Sequence, residues 1–252
     1  MSTEGIPAGL WPAGYGCLIL DEVDSTMAEA ARRAPDLRGP TWIMARRQTA
    51  ARGRRGRVWA QPDGNLAATL VYRPYATPAE AAKRSFLAAN ALFETLSLFI
   101  DRSALALKWP NDVLLHGGKV AGILLESAGR GPFVDWLAVG VGVNLRHVPA
   151  GVTGDFPPVS LIGEGGQDVT AEDVLTVLAS SFATQEGKLA TLGFPRIRED
   201  WLRHAAKLGE VITARTMREE IRGVFDTVDQ DGNLILVTAT GPVSIPAADV
   251  FF

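Results

Sequence analysis

Residues 104–127 read ALALKWPNDVLLHGGKVAGILLES and place two apolar segments on either side of a run of turn residues. The first segment, 104–108, has the length of a strand, and Pro110 ends it because proline cannot donate a backbone hydrogen bond to a sheet. The second segment, 119–127, predicts another strand, whose apolar run is typical of a buried position. The stretch therefore predicts two strands that are separated by turn residues.

The second strand begins with a lysine and contains a glycine. Strict alternation places Lys119 and Ala121 on one face and Val120 and Gly122 on the other. A lysine that points into a cleft would neutralise a carboxylate or a phosphate, whereas a lysine at a sheet edge would only discourage aggregation. Glycine inside a strand indicates close approach of a ligand or of a second backbone.

The same patterns extend outward in both directions along the chain. Apolar runs bounded by turn signals predict further strands at 15–23, 42–48, 65–72 and 135–144. Helical spacing and capping residues predict helices from Ser25 to just before Pro35, and over 77–100, 170–187 and 195–207. Strands and helices are therefore interleaved along this part of the chain.

The pattern changes after residue 207. Short apolar runs separated by turns follow one another, and the segment from Asp229 to Gly232 is typical of a hairpin. We therefore predict two domains, a larger one over 1–207 and a small, barrel-like β domain over 208–252.

Arginine is concentrated in one short stretch. Six of the twenty arginines lie between Arg46 and Arg57, and residues 52–57 read RGRRGR between two predicted strands. Glycine lets a backbone approach a ligand closely, and the forked donors of arginine match phosphate and carboxylate oxygens. The stretch favours a loop that closes over a small anion, with a merely solvated surface loop as the alternative. It lacks the GK[ST] ending of a P-loop, which argues against a Walker-type NTPase.

The composition excludes several classes of protein. The chain has 252 residues, is 47% hydrophobic and has a net charge of −3, which is typical of an ordinary globular protein and not of a disordered or collagen-like one. No apolar run approaches the ~18 residues of a membrane-spanning helix, and the N-terminus does not resemble a secretory signal. Weak acidity does not attract nucleic acid. The chain has one cysteine, which cannot form an internal disulfide and favours a reducing cytoplasm. Its three scattered histidines and this cysteine show no metal-ligand spacing.

Taken together, several segments resemble the biotin protein ligase family, and they occur in the family's order. The segments are Asp24-Ser25-Thr26, Gln48 followed by Arg52 to Arg57 and Trp59, Gly64-Asn65-Leu66, Lys108 to Asp112, Gly118 to Glu126, and Gly140 to Asn144. Each segment alone is weak, but their joint presence in this order is specific. The tail from residue 208 resembles the family's small C-terminal SH3-like domain.

The resemblance implies a fold and a reaction. The expected fold is an α/β (α+β) catalytic domain with a mixed, largely antiparallel sheet flanked by helices, as in lipoate ligases, followed by a small SH3-like β-barrel. The expected enzyme uses ATP and Mg²⁺ to activate biotin as biotinyl-5′-AMP and transfers it to a lysine of a biotin carboxyl carrier protein domain. It is the short form without an N-terminal DNA-binding domain, so neither nucleic acid nor membrane is an expected partner. A homodimer stays open.

The resemblance also implies roles for individual residues. Lys119 and Arg54 are the expected catalytic residues. The residues expected to contact biotin are Ser25, Thr26, Gln48, Arg52, Gly53, Arg54, Lys119 and Gly122. The residues expected to contact the nucleotide are Arg54, Arg57, Trp59, Lys108, Asn111, Asp112, Lys119 and Asn144. No metal site built from protein side chains is expected.

Two positions depart from the family pattern. Met27 stands where the family usually has asparagine, which removes a polar group near the expected acyl site. Ala51 stands where the family usually has glycine, and alanine disfavours a positive φ. The alternatives therefore left open are a relative that acts on lipoate, octanoate or another acid, and a non-catalytic protein that binds an acyl-adenylate or a carrier domain.

Overall fold

The protein is described by a computed structural model that covers residues 10–57, 59–149, 156–246 and 248–252. Its helices are α1 (Thr26–Arg33), α2 (Pro78–Ala82), α3 (Arg84–Leu96) and α4 (Ala171–Leu202). Its first seven strands are β1 (Gly16–Val23), β2 (Thr41–Gln48), β3 (Leu66–Tyr72), β4 (Leu105–Lys108), β5 (Asp112–Leu115), β6 (Gly118–Ala128) and β7 (Trp136–Val143). The last five are β8 (Val211–Arg215), β9 (Glu220–Val228), β10 (Leu234–Thr238), β11 (Gly241–Ile245) and β12 (Asp249–Phe251). Residues 1–9, with which the larger predicted domain begins, lie outside the described residues.

The larger sheet has seven strands in the order β1-β2-β3-β7-β6-β5-β4. Strands β1 and β2 run parallel, and every other neighbouring pair in this sheet is antiparallel. The predicted mixed, largely antiparallel sheet is therefore confirmed.

Side chains alternate between two cores on the two faces of this sheet. On β2, Trp42 and Met44 belong to the larger core, which α3 and α4 cover, while Ile43 belongs to a smaller core beside α1. On β7, Val139 joins the larger core and Ala138 the smaller one. This period of two is the geometry of a strand buried on both faces. The face of the sheet beside α1, with its smaller core, also carries the cavity described below.

The helices differ in their limits from those predicted. The helix expected over 77–100 is divided at Lys83 and ends at Leu96, although Thr77 and Glu80 do form the expected capping box. The two helices expected at 170–187 and 195–207 are joined in α4. A bend at Gly193, whose φ is 74°, comes just before Pro195 and allows the two parts to meet at an angle.

The segment quoted first contains a strand that its pattern did not predict. Asp112 does not stay in the turn but begins β5, and it pairs with Lys108 across a hairpin. His116 and Gly117, with φ of 48° and 83°, then turn the chain into β6. Strands β4, β5 and β6 are therefore three consecutive antiparallel strands.

The C-terminal part is a five-stranded antiparallel sheet in the order β11-β10-β9-β8-β12. Its Phe225 packs near Trp201 of α4, so that the small sheet joins the larger core. Trp109 donates its indole N–H to the carbonyl of Gly232 at 3.1 Å, which ties the β4–β5 turn to the β9–β10 hairpin. The small C-terminal β unit is confirmed, while the boundary at residue 207 stays a prediction. No helix among the described residues is long and apolar enough to cross a membrane.

Candidate functional site

The face of the sheet beside α1 forms the floor of a cavity of about 570 Å³, a volume typical of small-molecule sites. Its walls come from the start of α1, the β4–β5 turn, strand β12 and the segment 49–64, which we call the arginine loop. All residues predicted to contact biotin or the nucleotide line this cavity: Ser25, Thr26, Gln48, Arg52, Gly53, Arg54, Arg57, Trp59, Lys108, Asn111, Asp112, Lys119, Gly122 and Asn144. The structure therefore brings together residues that are up to 119 positions apart in the chain. Their individual roles stay predictions.

Glycines keep the floor flat. Gly122 on β6 pairs with Gly142 on β7, and Gly140 lies two residues away on the same face of β7. A Cβ atom on Gly142 would lie 2.6 Å from Cε2 of Trp59, and one on Gly140 would lie 2.6 Å from Sδ of Met27. The indole and the thioether therefore rest directly on the backbone of the sheet, which only glycine permits.

A polar cluster lies where α1 begins. Oε1 of Gln48 accepts hydrogen bonds from the backbone N–H of Thr26 at 2.8 Å and from its hydroxyl at 3.1 Å. The hydroxyl of Thr69 donates to Oγ1 of Thr26 at 2.8 Å, and Nε2 of Gln48 donates to Oε1 of Gln61 at 2.9 Å. Ser25 is buried beside them and makes no capping bond to α1. This network fixes uncharged donors and acceptors at one end of the cavity.

A β-bulge turns Lys119 toward the cavity. The register between β5 and β6 shifts just after Lys119, so that Val120 is an extra residue on β6. The alternation predicted from the sequence is therefore wrong at this point. Lys119 and Gly122 line the cavity together, whereas Val120 and Ala121 are both in the core.

Lys119 and Lys108 share one carboxylate. Nζ of Lys119 lies 2.6 Å from Oδ1 of Asp112, and Nζ of Lys108 lies 3.7 Å from Oδ2. The side chains of Lys108 and Asp112 are only 8% and 13% exposed. Two lysines against one carboxylate leave a positive charge in a poorly hydrated place, where Coulomb interactions are strong. The group suits an anionic ligand.

Burial acts on the acid–base behaviour of two of these cations. It is the main cause that lowers the pKa of Lys108, with Asp112 opposing the shift and Lys119 adding to it. Burial likewise lowers the pKa of Arg54, against the opposing charge of Asp249. The charged form of each side chain is therefore under-solvated in the folded protein, and an anion in the cavity would stabilise it.

The arginine loop closes one side of the cavity through side-chain pairs. Arg52 lies 3.1 Å from Glu126, and Arg54 donates to Oδ1 of Asn111 at 3.2 Å. A short 3₁₀ turn at Arg54–Gly56 bends the loop, and Gly56 takes the positive φ of 72° that this bend requires. Ala51 has no positive φ, so alanine at this position puts no strain on the loop.

Three asparagines hold the walls of the cavity. Nδ2 of Asn111 donates to the carbonyl of Ile123 at 2.5 Å, and Nδ2 of Asn144 donates to that of Val159 at 3.1 Å. Oδ1 of Asn65 accepts hydrogen bonds from three successive backbone N–H groups, those of residues 145–147. These amides fix the backbone around the site, and this structural role alone explains an asparagine at each of the three positions.

The C-terminal sheet contributes cavity residues to which the sequence analysis assigned no role. They are Arg215, Asp249, Val250 and Phe251. The carboxylate of Asp249 lies 2.6 Å from Nη2 of Arg57 and 3.0 Å from Nη1 of Arg55. No local pattern marks this aspartate in the sequence, because it becomes part of the site only when β12 packs beside the arginine loop.

Two further features of the described residues are the placement of metal-ligating side chains and the state of the one cysteine. Among the described residues, no group of three or more His, Cys, Asp or Glu could hold a metal ion. Cys17 is buried in the larger core, and burial raises the pKa of its thiol to about 11. A thiol in that state is not a nucleophile at neutral pH.

Comparison with known proteins identifies the family of the chain. Residues 18–144 match the model of the biotin/lipoate A/B protein ligase family, and residues 207–252 match that of the biotin protein ligase C-terminal domain. The chain is 53% identical over 238 residues to a biotin–acetyl-CoA-carboxylase ligase of Paracoccus denitrificans, which covers 93% of this chain and 99% of that protein. A ligase of the same name from Mycobacterium tuberculosis is 31% identical over 94% of this chain and 90% of that protein.

A solved structure is similar in fold. The biotin protein ligase of Aquifex aeolicus in complex with biotin and ATP has a TM-score of 0.79 and 24% identity, covering 93% of this chain and 98% of that one. At this identity the likeness concerns the fold. Since a family model covers half of the sequence and a relative is 53% identical over nearly its whole length, the chain belongs to the biotin/lipoate A/B protein ligase family.

Proposed function

We propose that this chain is an ATP-dependent biotin–protein ligase, which activates biotin as biotinyl-5′-AMP and transfers the biotinyl group to a lysine of a carrier protein. The observation that carries the proposal is the joining of two chemistries in one cavity. Uncharged hydrogen-bonding groups around Gln48 lie near α1, and cations around Lys119 lie near the β4–β5 turn. One end suits a ureido ring and the other suits phosphate.

The floor sets the spacing of the two ends. Met27 rests on Gly140 and Trp59 on Gly142, and residues two apart on a strand are separated by about 6.6 Å. Met27 therefore marks the acyl end and Trp59 the nucleotide end. Nζ of Lys119 lies 5.4 Å from the centroid of the Trp59 ring and close to Gly122, which pairs with Gly142. This is where a carboxylate and an α-phosphate would meet.

The first step joins two anions. An oxygen of the biotin carboxylate attacks the α-phosphorus of ATP, the bond from that phosphorus to the bridging oxygen breaks, and pyrophosphate leaves with the electron pair. Lys119 and Arg54 stabilise the negative charge that builds up, and they are already oriented by Asp112 and Asn111. Such fixed charges are the main source of rate enhancement when no covalent enzyme intermediate forms.

Magnesium would enter with the nucleotide. Mg²⁺ is usually bound by substrate phosphates and one or two carboxylates, and it keeps several waters. Asp112 is a carboxylate in the cavity lining and is paired with basic side chains. It fits an ion held mainly by phosphate oxygens. When bound, the ion would neutralise phosphate charge.

The second step uses a nucleophile from outside the chain. The uncharged amine of a carrier lysine attacks the acyl carbon, the bond to the phosphate oxygen breaks, and AMP leaves while the amine loses its proton. The name of the Paracoccus relative supports a biotin-carrying subunit of acetyl-CoA carboxylase as the carrier. The one cysteine of the chain supports a reducing cytoplasm as the compartment.

The test is ATP–pyrophosphate exchange measured separately with biotin, lipoate and octanoate, followed by transfer to a purified biotin carrier domain. We expect exchange with biotin and labelling of the carrier lysine. Exchange with lipoate or octanoate but not biotin would assign the enzyme to another acid. Binding of biotinyl-AMP without exchange would make the chain a non-catalytic binding protein.

A further inference from the structure

The arginine loop meets the C-terminal sheet at Asp249. This residue begins β12, an edge strand that is held to β8 by antiparallel pairing. Its carboxylate binds Arg55 and Arg57 at once, and its side chain is 24% exposed while those of the two arginines are 40% and 65% exposed. The less exposed side chain therefore provides the acceptor, and the loop provides the donors.

The loop needs such an acceptor on electrostatic grounds. Arg52, Arg54, Arg55 and Arg57 lie within six residues and repel one another, and the intervening glycines add no side-chain contacts. Glu126 and Asn111 hold the first two of these arginines. The last two depend on Asp249, and Arg57 among them lines the cavity.

The carboxylate is charged under ordinary conditions. Burial alone would raise the pKa of Asp249, but the hydrogen bond from Arg57 and the nearby charges of Arg55 and Arg54 outweigh it, so the pKa lies below its usual range. In return, the negative charge of Asp249 favours the charged form of Arg54, which burial disfavours. The charge of Asp249 thus also acts on Arg54, which is expected to contact the adenylate.

We propose that Asp249 is a positioning residue through which the C-terminal domain holds the arginine loop over the cavity and retains the acyl-adenylate until the carrier arrives. The inference rests on the proposed function, since retention has meaning only for an enzyme that forms an adenylate. Retention limits loss of a reactive mixed anhydride to water. The opposite role is an Asp249 that competes with the phosphates for Arg57, in which case removing its charge would strengthen nucleotide binding.

The test compares Asp249→Asn with Asp231→Asn as a matched control. Asp231 lies in the β9–β10 turn of the same small domain and also pairs with a residue of the larger domain, Lys83 at 3.7 Å, but it is 80% exposed and does not line the cavity. Asp249→Asn should release preformed biotinyl-AMP about tenfold faster, and trypsin should cleave the arginine loop faster. Asp231→Asn should match the wild type in both measurements.

A second variant approaches the contact from the loop. Arg55 does not line the cavity, so Arg55→Gln should act only through Asp249, with a smaller increase in release. Combined with Asp249→Asn it should add nothing, whereas full additivity would overturn the inference. Asp249→Glu keeps the charge and should restore slow release in part, which a purely structural role of the residue would not predict. Because Arg55 is exposed, this arm does not depend on the folding of an altered β12.

The outcomes separate this inference from the proposed function. If the wild type catalyses biotin-dependent exchange but Asp249→Asn behaves like Asp231→Asn, the positioning role is wrong and the ligase activity stands. Slower release or a lower KM for ATP in Asp249→Asn would identify competition with phosphate and would also overturn it. If the wild type shows no exchange, the ligase proposal fails, and unchanged tryptic cleavage of Asp249→Asn would refute the hold on the loop as well.

Discussion

The floor and the arginine loop of this cavity are held by different interactions. The floor consists of β6 and β7, which pair without a break from Ala121 and Val143 to Ala128 and Trp136 and lie on a packed core. The loop is held by side-chain ion pairs that are partly exposed, and such pairs typically contribute only about 0.2–1 kcal/mol each. The floor can therefore hold bound groups in fixed positions, while the loop can open at little cost in free energy.

The largest effect should follow from removing the cation that the floor provides. Lys119→Ala is expected to lower ATP–pyrophosphate exchange by about 10²–10³, the usual loss for one electrostatic contact made in the transition state. Lys188→Ala is the matched control, because Lys188 also pairs with an aspartate, Asp200 at 2.7 Å, but lies on α4 outside the cavity. Near wild-type exchange in Lys119→Ala, with unchanged folding by circular dichroism, would contradict the assignment.

The next effect tests whether the flatness of the floor matters. A methyl group at position 142 would overlap Trp59, so Gly142→Ala should displace the indole and lose a stacking partner for adenine. Loss of such a stack typically costs about 1–3 kcal/mol, or roughly tenfold in KM for ATP. The control is Gly131→Ala, because a Cβ atom there meets nothing within 4 Å. Equal KM values for the two variants would show that Trp59 does not contact the nucleotide.

Much of the floor could be predicted from the sequence, because its signals are local. The apolar runs of β6 and β7 and the glycine inside β6 already predict strands and a close approach at Gly122. The β-bulge at Val120 could not be predicted, since one extra residue changes no pattern within the strand and appears only in its pairing with β5. Strand β5 could not be predicted either, because it has only four residues and follows directly on turn residues.

The arginine loop could be predicted from the sequence only in part, and Asp249, which pairs with it, could not be predicted at all. The composition of the loop predicts an anion-binding segment, yet the partner that holds Arg55 and Arg57 comes from a residue almost 200 positions away. Asp249 stands in the sequence AADVFF, which has no feature of a binding motif. A residue whose role arises from the packing of two sheets leaves no local trace, and only tertiary structure identifies it.

The rate of exchange should depend on pH through Lys108, the last residue of β4. Burial lowers the pKa of Lys108, so this lysine loses its charge at a pH below the value near 10.4 of an exposed lysine. Because the protonated form is the one that neutralises phosphate, exchange should fall by a few-fold as the pH rises through the lowered pKa. Lys108→Arg keeps the charge and should move this decline to higher pH. An unchanged profile in Lys108→Arg would mean that another group sets the alkaline limit.

The last test concerns Met27, at the proposed acyl end of the floor. Met27 is 5% exposed and lies against Gly140, and it cannot donate a hydrogen bond to a ureido group. An unpaired buried polar group costs roughly 1–3 kcal/mol, so Met27→Asn should strengthen biotin binding. The gain should stay near tenfold, because the shorter side chain also leaves a small void that offsets part of it. Isothermal titration of biotin into both proteins measures the change.

Two comparisons make the Met27 result decisive. Met27→Leu keeps the volume and the apolar character, so it should leave biotin affinity within a few-fold of the wild type. Lipoate, whose dithiolane ring needs no amide partner, should bind Met27→Asn more weakly than the wild type. Unchanged biotin affinity in Met27→Asn would show that residue 27 does not reach the ureido ring. If lipoate binds the wild type more tightly than biotin does, the floor is shaped for a different acid, and the biotin assignment is wrong.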